Sequence, residues 1–409
     1  MKINQYDIIV IGGGAASFFF CANLERAWSS KKVLILEQSK NILSKVSISG
    51  GGRCNVTNAI TDPNELIKYY PRGGRELLGP FHKFNCSHSY HWFENRGVSL
   101  KIEDDGRVFP ISNKSEDIIN LLEKETKRNN INILRESKVI DFFFQNNIWT
   151  IKTNKEVFET QYLVIGSGSS KFIWDKLKQL TVDIVHSVPS LFTFKMKEKL
   201  LMGLEGIAVE LVEVTIKDTK IQQNGPILIT HEGLSGPAIL KCSAFGARLL
   251  AQKEYRFTIE VNWLPMEDGE IIQKLMKING KKNLVNGFTH LPNRLWERMI
   301  HLANVNPLKK WAELSKHDIK NLSQQLFMSN YEINGKSTFK DEFVTAGGVA
   351  LNEVNFKNFA LKKYPNLYCI GEMLDIDAVT GGFNFQACWT GAYLAATDIN
   401  QKLHYNQKS

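Results

Sequence analysis

Gly12 and Gly14, with Ser17 three positions on, occupy the three marked positions of a G-x-G-x-x-G turn. The first glycine of such a turn permits a tight bend, and the second lets the backbone approach a pyrophosphate. The third normally allows close helix–strand packing, and Ser17 departs there. Apolar β-branched residues precede the turn, and a helix-forming run beginning at Ala15 and Ala16 follows it. Glu37, ahead of Gln38, closes the next apolar run, where a carboxylate accepts hydrogen bonds from both ribose hydroxyls of an adenosine. Lys45 and Ser49 lead into Gly50-Gly51-Gly52-Arg53-Cys54-Asn55. Three consecutive glycines expose backbone N–H groups, and Arg53, Asn55 and Asn58 add donors. Far along the chain, Gly371-Glu372-Met373-Leu374-Asp375-Ile376-Asp377 follows a strand-like run, and Asp375 or Asp377 suits ribityl or ribose hydroxyls. Thr380-Gly381-Gly382-Phe383-Asn384 then opens a helix whose N-terminal amides stabilise negative charge. The glycine clusters at both chain ends point to one site for a large anionic cofactor. Cys54 has no partner cysteine and no evident base, so it reads as a small buried residue rather than a nucleophile.

The elements that must position these residues follow from texture. Tyr6–Ile11 reads as a buried strand, Ala15–Trp28 as a helix, and Val33–Leu36 as the next strand, which completes a βαβ unit. Residues 58–97 look helical and loop-rich. Ser99–Ile102 and Arg107–Phe109 flank an Asp105-Gly106 turn, and Ser115–Arg128 is an amphipathic helix with a basic last turn. Strands over 131–134, 139–144 (beginning at Val139) and 149–153 follow, with Asn146-Asn147 as a hairpin turn. Tyr162–Ile165 ends in Gly166-Ser167-Gly168. Past Pro189 the pattern alternates to residue 262, as antiparallel strands do. Between about 265 and 330 it becomes helical: Leu308, Trp311 and Leu314 share one face, and Ser315-x-x-Asp318 forms a capping box. Strand-then-glycine texture returns at Phe343, and Gly381–Ile399 is a glycine turn followed by a small-residue helix.

The 409 residues are too many for one simple core. A hydrophobic share of 43% and a charged share of 23% are those of an ordinary globular protein. The net charge of +9 suits anionic partners, yet no run of five like charges marks a dedicated patch. The six cysteines are scattered without C-x-x-C spacing, against a zinc site or a redox disulfide and for a reducing, cytoplasmic setting. The apolar stretch from Ile8 to Leu24 lacks a basic leader and is broken by glycines, unlike a signal peptide. No stretch reaches the length of a membrane span.

Five motifs resemble the aminoacetone oxidase-like family of bacterial FAD-dependent oxidoreductases: SISGGGRCNVTN (47–58), DGRVFP (105–110), THEGLSGPAIL (230–240), TAGGV (345–349) and GEMLDIDAVTGGFNFQ (371–386). They span nearly the whole chain in the family's order. Ser17, and Ala378 after Asp-x-Asp, depart from the pattern. The resemblance implies an α/β fold: a Rossmann-like FAD-binding domain built from both chain ends (1–188 and 343–409). Between them it implies an inserted β-barrel-like domain (189–342) with a helical subdomain over about 265–330. By the same resemblance FAD is held by Gly12, Gly14, Ala15, Ala16, Glu37, Gln38, Lys45, Ser49, Gly51, Gly52, Arg53, Asn55, Val139, Gly166, Gly168, Gly371, Glu372, Asp375, Gly382 and Asn384, with Gly347-Gly348 near the flavin ring.

His231 is the only histidine inside a family motif and is the candidate proton donor, set against a plain packing role in a loop where Ser235 caps the helix starting near Pro237. The resemblance implies hydride transfer to or from the flavin of a small organic substrate, with amine oxidation and reduction of a conjugated double bond both open. No second G-x-G-x-x-G supports a dedicated NAD(P)H domain, so NAD(P)H enters as a transient donor. Two alternatives use the basic helical insert: an RNA-binding or RNA-modifying flavoprotein, for which Lys281, Lys282, Arg294, Arg298, Lys309 and Lys310 must form one face, or a membrane-surface dehydrogenase. The oligomeric state is open.

Overall fold

The computed structural model describes residues 3–25, 31–196, 201–278, 280–288, 290–337 and 344–406. The chain divides into two compact units, Met1–Val188 with Val344–Ser409, and Pro189–Phe343.

In the first unit, strands Leu367–Cys369, Val157–Ile165, Ile3–Ile11, Val33–Leu36 and Asn132–Leu134 lie side by side in that order, all parallel. The N-terminal run Ile8–Ile11 pairs with Val33–Leu36 on one side and Tyr162–Ile165 on the other. All three runs are buried, as a parallel sheet covered on both faces requires. Each fully buried Ile, Val or Leu contributes roughly 1.5–3 kcal/mol. The edge strand of this parallel set comes from the C-terminal part of the chain, so both ends share one sheet. Helix Ala15–Ala22 packs against helix Glu116–Arg128 and the long helix Phe383–Asn406. The first of these is shorter than its apolar content predicts. Asn23 caps it, donating to Phe19 O (2.7 Å) and accepting from Trp92 Nε1 (2.9 Å), and residues 26–28 lie outside those described. Strands Val139–Gln145 and Ile148–Thr153 form the hairpin expected around Asn146-Asn147, whose φ of 52° and 62° are those of a type I′ turn.

In the second unit, seven strands form a sheet that begins with Ser329–Ile333 and ends with Gly335–Lys336. Only Asn334 separates these two terminal strands in sequence, so the end of one edge strand lies within about 7 Å of the start of the other, the reach of two peptide units. Helix Pro237–Gln252 packs on strands Ala208–Ile216 and Gln222–Thr230 with Ala238, Ile239 and Cys242 buried. Helices Asp268–Met276, Asn293–Leu302 and Lys316–Phe327 form the helical part. Trp296 and Trp311 stack there with centroids 6.1 Å apart, and Trp296 Nε1 donates to Leu284 O. Two sequence expectations are corrected here. Leu308 is 86% exposed and does not share the buried face of Trp311, because it precedes the short 3-10 turn Trp311–Glu313 rather than lying on a helix with it. Ser235 ends strand Gly233–Ser235, and the helix is capped instead by Gly236, at φ 96°, where a Cβ would meet Pro226 O at 2.8 Å. Among the described residues, no helix is long and apolar enough to cross a membrane.

Candidate functional site

The residues predicted to bind FAD all lie in the first unit, and Gly12, Glu37, Gly166 and, one residue further on, Gly371 follow the C-terminal ends of its parallel strands, where doubly wound folds bind ligands. Gly12 turns the chain at φ 102° and lies against the loop after strand Val157–Ile165; a Cβ would come within 2.7 Å of Gly166 O. Gly14, extended at φ −95°, precedes helix Ala15–Ala22 and supplies no side-chain cap. The amides of Ala15, Ala16 and Ser17 have no acceptor among the described residues, which is the state of a helix N-terminus built for an anion. Ser17 fits the third position because Gly166 lacks a side chain: a Cβ at Gly166 would lie 2.3 Å from Ser17 Oγ, which instead faces Gly166 O at 3.4 Å. The small side chain lost from the motif is recovered across the interface.

Glu37 is anchored by three hydrogen bonds, from Gly13 N (2.6 Å), Ser39 N (2.8 Å) and Ser39 Oγ (2.6 Å). A carboxylate offers about four lone-pair sites, so acceptor capacity remains for a ribose. Gln38 is exposed beside it. Val139 is buried two residues after Ser137, whose amide donates to Glu37 O.

Segment Ser44–Gly52 starts from a left-handed Leu43 and loses helical geometry at Ser49 (φ −64°, ψ 146°). Gly50, Gly51 and Gly52 then adopt φ of 57°, 68° and 82° in succession, and a Cβ at Gly51 would meet nothing within 4 Å. Consecutive left-handed glycines in open space leave backbone that a ligand can approach closely, while the Arg53 and Cys54 amides that follow are both bonded to Ser49 O. Ser49 is tied locally, its hydroxyl donating to Val46 O. Arg53 donates to Glu103 (2.7 Å) and lies 4.0 Å over the Phe109 ring, which pins the glycine turn to the strand Arg107–Pro110. Cys54 is buried at φ 57°, and desolvation pushes its thiol up to about 12 despite a hydrogen bond with Ser49. Thiols at Cys86, Cys242, Cys369 and Cys388 are likewise raised, first by burial. A thiolate nucleophile is the opposite of this setting. Among the described residues no group of three His, Cys, Asp or Glu could hold a metal.

The C-terminal segment closes onto this loop. Asn55, in the amide orientation that satisfies its neighbours, accepts from Gly382 N (2.9 Å) and donates to Thr57 O (3.0 Å). Asn58 donates to Gly381 O (2.9 Å), and Thr57 Oγ1 donates to Gln386 (2.6 Å). Gly382, at φ 87°, has Thr57 O only 2.3 Å from where a Cβ would be. Asn384 bonds both backbone groups of Ala378 and so bends the turn into helix Phe383–Asn406. Lys45 and Glu372 pair with each other at 2.5 Å, and Glu372 also accepts from Thr345 N. Gly371, at φ 68°, packs on Ala16, and Gly168, at φ 62°, lies near Glu372. Gly347 and Gly348, both at φ 132°, lie flush against the 186–187 and 373–374 backbones.

The two acidic candidates separate. Asp377 is fully buried in an ion pair with Arg72, so it is committed to structure, whereas Asp375, two residues earlier, is buried with its amide bonded to Val349 O. Arg72 carries no motif and was missed from sequence. The available signal was Gly73, whose φ of 79° and close approach to Ile376 mark the same junction. Tyr70, which donates to Phe383 O (2.6 Å), and Trp389, which donates to Val56 O (2.8 Å), were missed because aromatics in apolar runs read as core. His231 lies in the second unit on a hairpin turn, its side chain 91% exposed and its ring 4.0 Å from Glu205. None of the groups described above orients it.

Residues 6–398 match the family model described as "HI0933-like protein Rossmann domain". The ribosomal RNA dihydrouridine synthase of Escherichia coli (strain K12) is 28% identical, covering 97% of this chain and 98% of its own. The 3-dehydro-bile acid delta(4,6)-reductase of Clostridium scindens (strain ATCC 35704) is 24% identical, covering 94% and 97%. The solved structure of 3-ketosteroid-delta4-(5alpha)-dehydrogenase from Rhodococcus jostii RHA1 superposes with a TM-score of 0.52 at 11% identity, over 97% of this chain and 98% of that one, a likeness of fold. The chain belongs to the HI0933-like family, a FAD-binding Rossmann family, and is an FAD-dependent oxidoreductase.

Proposed function

We propose that this member of the HI0933-like family reduces a carbon–carbon double bond conjugated to a carbonyl, and that the uracil ring of ribosomal RNA is the substrate it fits best. Two relatives with different printed substrates agree on the reaction class: a dihydrouridine product and a delta(4,6)-reductase both saturate such bonds. The observation that carries the RNA reading is the end-to-end match with the ribosomal RNA dihydrouridine synthase. That enzyme has almost no sequence without a counterpart here. The net charge of +9 suits a polyanionic substrate.

FAD, when bound and first reduced by NAD(P)H as a transient donor, would supply hydride to one carbon of the double bond, the other carbon taking a proton. In this reading the free amides of Ala15 to Ser17 take the pyrophosphate and Glu37 takes the adenosine ribose. The open Gly50–Gly52 turn and the N-terminus of helix Phe383–Asn406 take the flavin half, where helix-terminal amides favour negative charge. Lys45, Ser49, Arg53, Asn55, Glu372 and Asn384 hold those segments in place through the bonds above. Asp375 is the carboxylate for the ribityl chain. His231 is the candidate proton donor, tested by His231→Gln.

A second reading, reduction of a free enone, rests on the bile-acid reductase. The experiment is to incubate holoenzyme and NAD(P)H with ribosomal RNA from a strain lacking the gene, then digest to nucleosides and measure mass. Dihydrouridine, two mass units heavier than uridine, is the expected product. Reduction of free enones with no change in the RNA would replace this reading by the second. Peroxide production from amines, with neither reduction, would overturn both.

A further inference from the structure

The helical part of the second unit gathers cations that are distant in sequence. Asn283 and Lys310 form an antiparallel bridge, flanked by Leu284 N to Lys309 O (3.0 Å) and Trp311 N to Lys282 O (3.1 Å). Neighbouring strands lie about 5 Å apart, so Lys281-Lys282 runs beside Lys309-Lys310. Helix Lys316–Phe327 follows directly, with Lys316 and Lys320 exposed one turn apart. Among the described residues two acids lie within this cluster, and only Asp318 pairs with one of its lysines. Asp318 accepts from Lys309 Nζ (2.9 Å) and from Ser315 N and Oγ, and Glu313 accepts the Lys310 amide (3.0 Å). Among the described residues, Lys282, Lys310, Lys316 and Lys320 have no carboxylate within ion-pair distance. The arginines expected on the same face are elsewhere: Arg294 and Arg298 donate to Gly203 O and Met202 O.

We propose that this lysine surface, centred on the Asn283–Lys310 bridge, binds the phosphodiester backbone of RNA. The assignment rests on the reading of ribosomal RNA as substrate and names the contact that reading requires. Clustered lysines with no guanidinium fork contact phosphates as point charges and carry no base recognition, so they position rather than specify. An anionic membrane offers the same charge. Among the described residues of the helical part the exposed large apolar side chains are Met276, Leu308 and Met328, on three separate segments rather than one helix face, which favours the polyanion over the bilayer.

Binding of holoenzyme to ribosomal RNA is measured against salt for wild type, K282E/K310E, K316E/K320E and a control, K220E/K253E. The control makes the same charge change at exposed positions outside the helical part. Wild type is expected to bind with a steep salt slope. Each test variant is expected to weaken binding about tenfold or more at low salt and to flatten the slope by about 2 units, roughly one per lost phosphate contact. FAD content and unfolding temperature should stay at wild-type values, and the control should bind nearly as wild type. Equal weakening by the control, or undiminished binding by both test variants, overturns the surface. Preference for phosphatidylserine vesicles over RNA overturns the partner. Dihydrouridine formation by wild type is read separately. If it is absent while the lysines still govern RNA binding, the proposed reaction fails and this surface stands.

Discussion

At the scale of single residues, the FAD-binding half is governed by places where a side chain cannot fit. Gly382 combines a φ of 87° with Thr57 O at 2.3 Å from any Cβ, so Gly382→Ala must both strain the backbone and push two segments apart. It is expected to cost at least about 1–2 kcal/mol from the left-handed geometry alone and to release FAD, read as lost flavin absorbance after gel filtration. The Arg72–Asp377 pair makes a different demand. Asp377 is fully buried, and Arg72 is its paired cation. Arg72→Met should destabilise by about 3–5 kcal/mol in urea unfolding, whereas Arg72→Met combined with Asp377→Leu should recover much of that loss. If the single and double variants unfold alike, the pair does not hold the Asp375–Asp377 turn.

At the scale of elements, caps decide where helices begin, and one of them carries a pH dependence. Ser315 and Asp318 form a reciprocal capping box at the start of helix Lys316–Phe327. The hydrogen bond from Lys309, with those from Ser315, holds the Asp318 carboxyl below its ordinary value. A depressed folded-state pKa stabilises above the unfolded value, about 3.9, and that contribution is lost as pH falls through the folded value. Amide protection at residues 316–319 should therefore fall in acid, below the ordinary aspartate range. Lys309→Met should move the Asp318 titration upward in carbon-detected NMR. Ser315→Ala should cost about 1 kcal/mol at neutral pH.

At the scale of the whole molecule, burial removes the cysteines from chemistry. Five of the six free cysteines are buried and Cys388 is half-buried, and burial raises every thiol. Native protein at pH 8 is expected to leave them all unlabelled by a thiol reagent, with six reacting after denaturation. Rapid native labelling at Cys54 would reopen the nucleophile reading that its position beside the glycine turn invites. The two units also differ in legibility. The βαβ start was readable because strand burial on both faces leaves an uninterrupted apolar run, and the Asn146-Asn147 turn because only a few residue types take φ above zero twice. The loop carrying Leu308 was misread because its spacing imitates a helix face while a 3-10 turn intervenes.

By itself, the sequence determined what is local: the glycine turns, the strand-to-helix order and the acid closing the second strand, and hence a Rossmann-like FAD-binding domain built from both chain ends. Those features depend on φ/ψ freedom and hydrophobic period, which neighbours in the chain specify. Only the tertiary structure decided which polar side chains remain for a ligand and which hold the protein together. Asp377 went to Arg72, Arg53 to Glu103, Asn384 to Ala378 and Lys45 to Glu372, and the six basic residues expected on one face of the helical part divided into four lysines of a cluster and two arginines spent on backbone carbonyls. A buried or half-buried polar group takes whichever partner folding brings within about 3 Å. That partner is usually remote in sequence, so residue type and spacing cannot assign it.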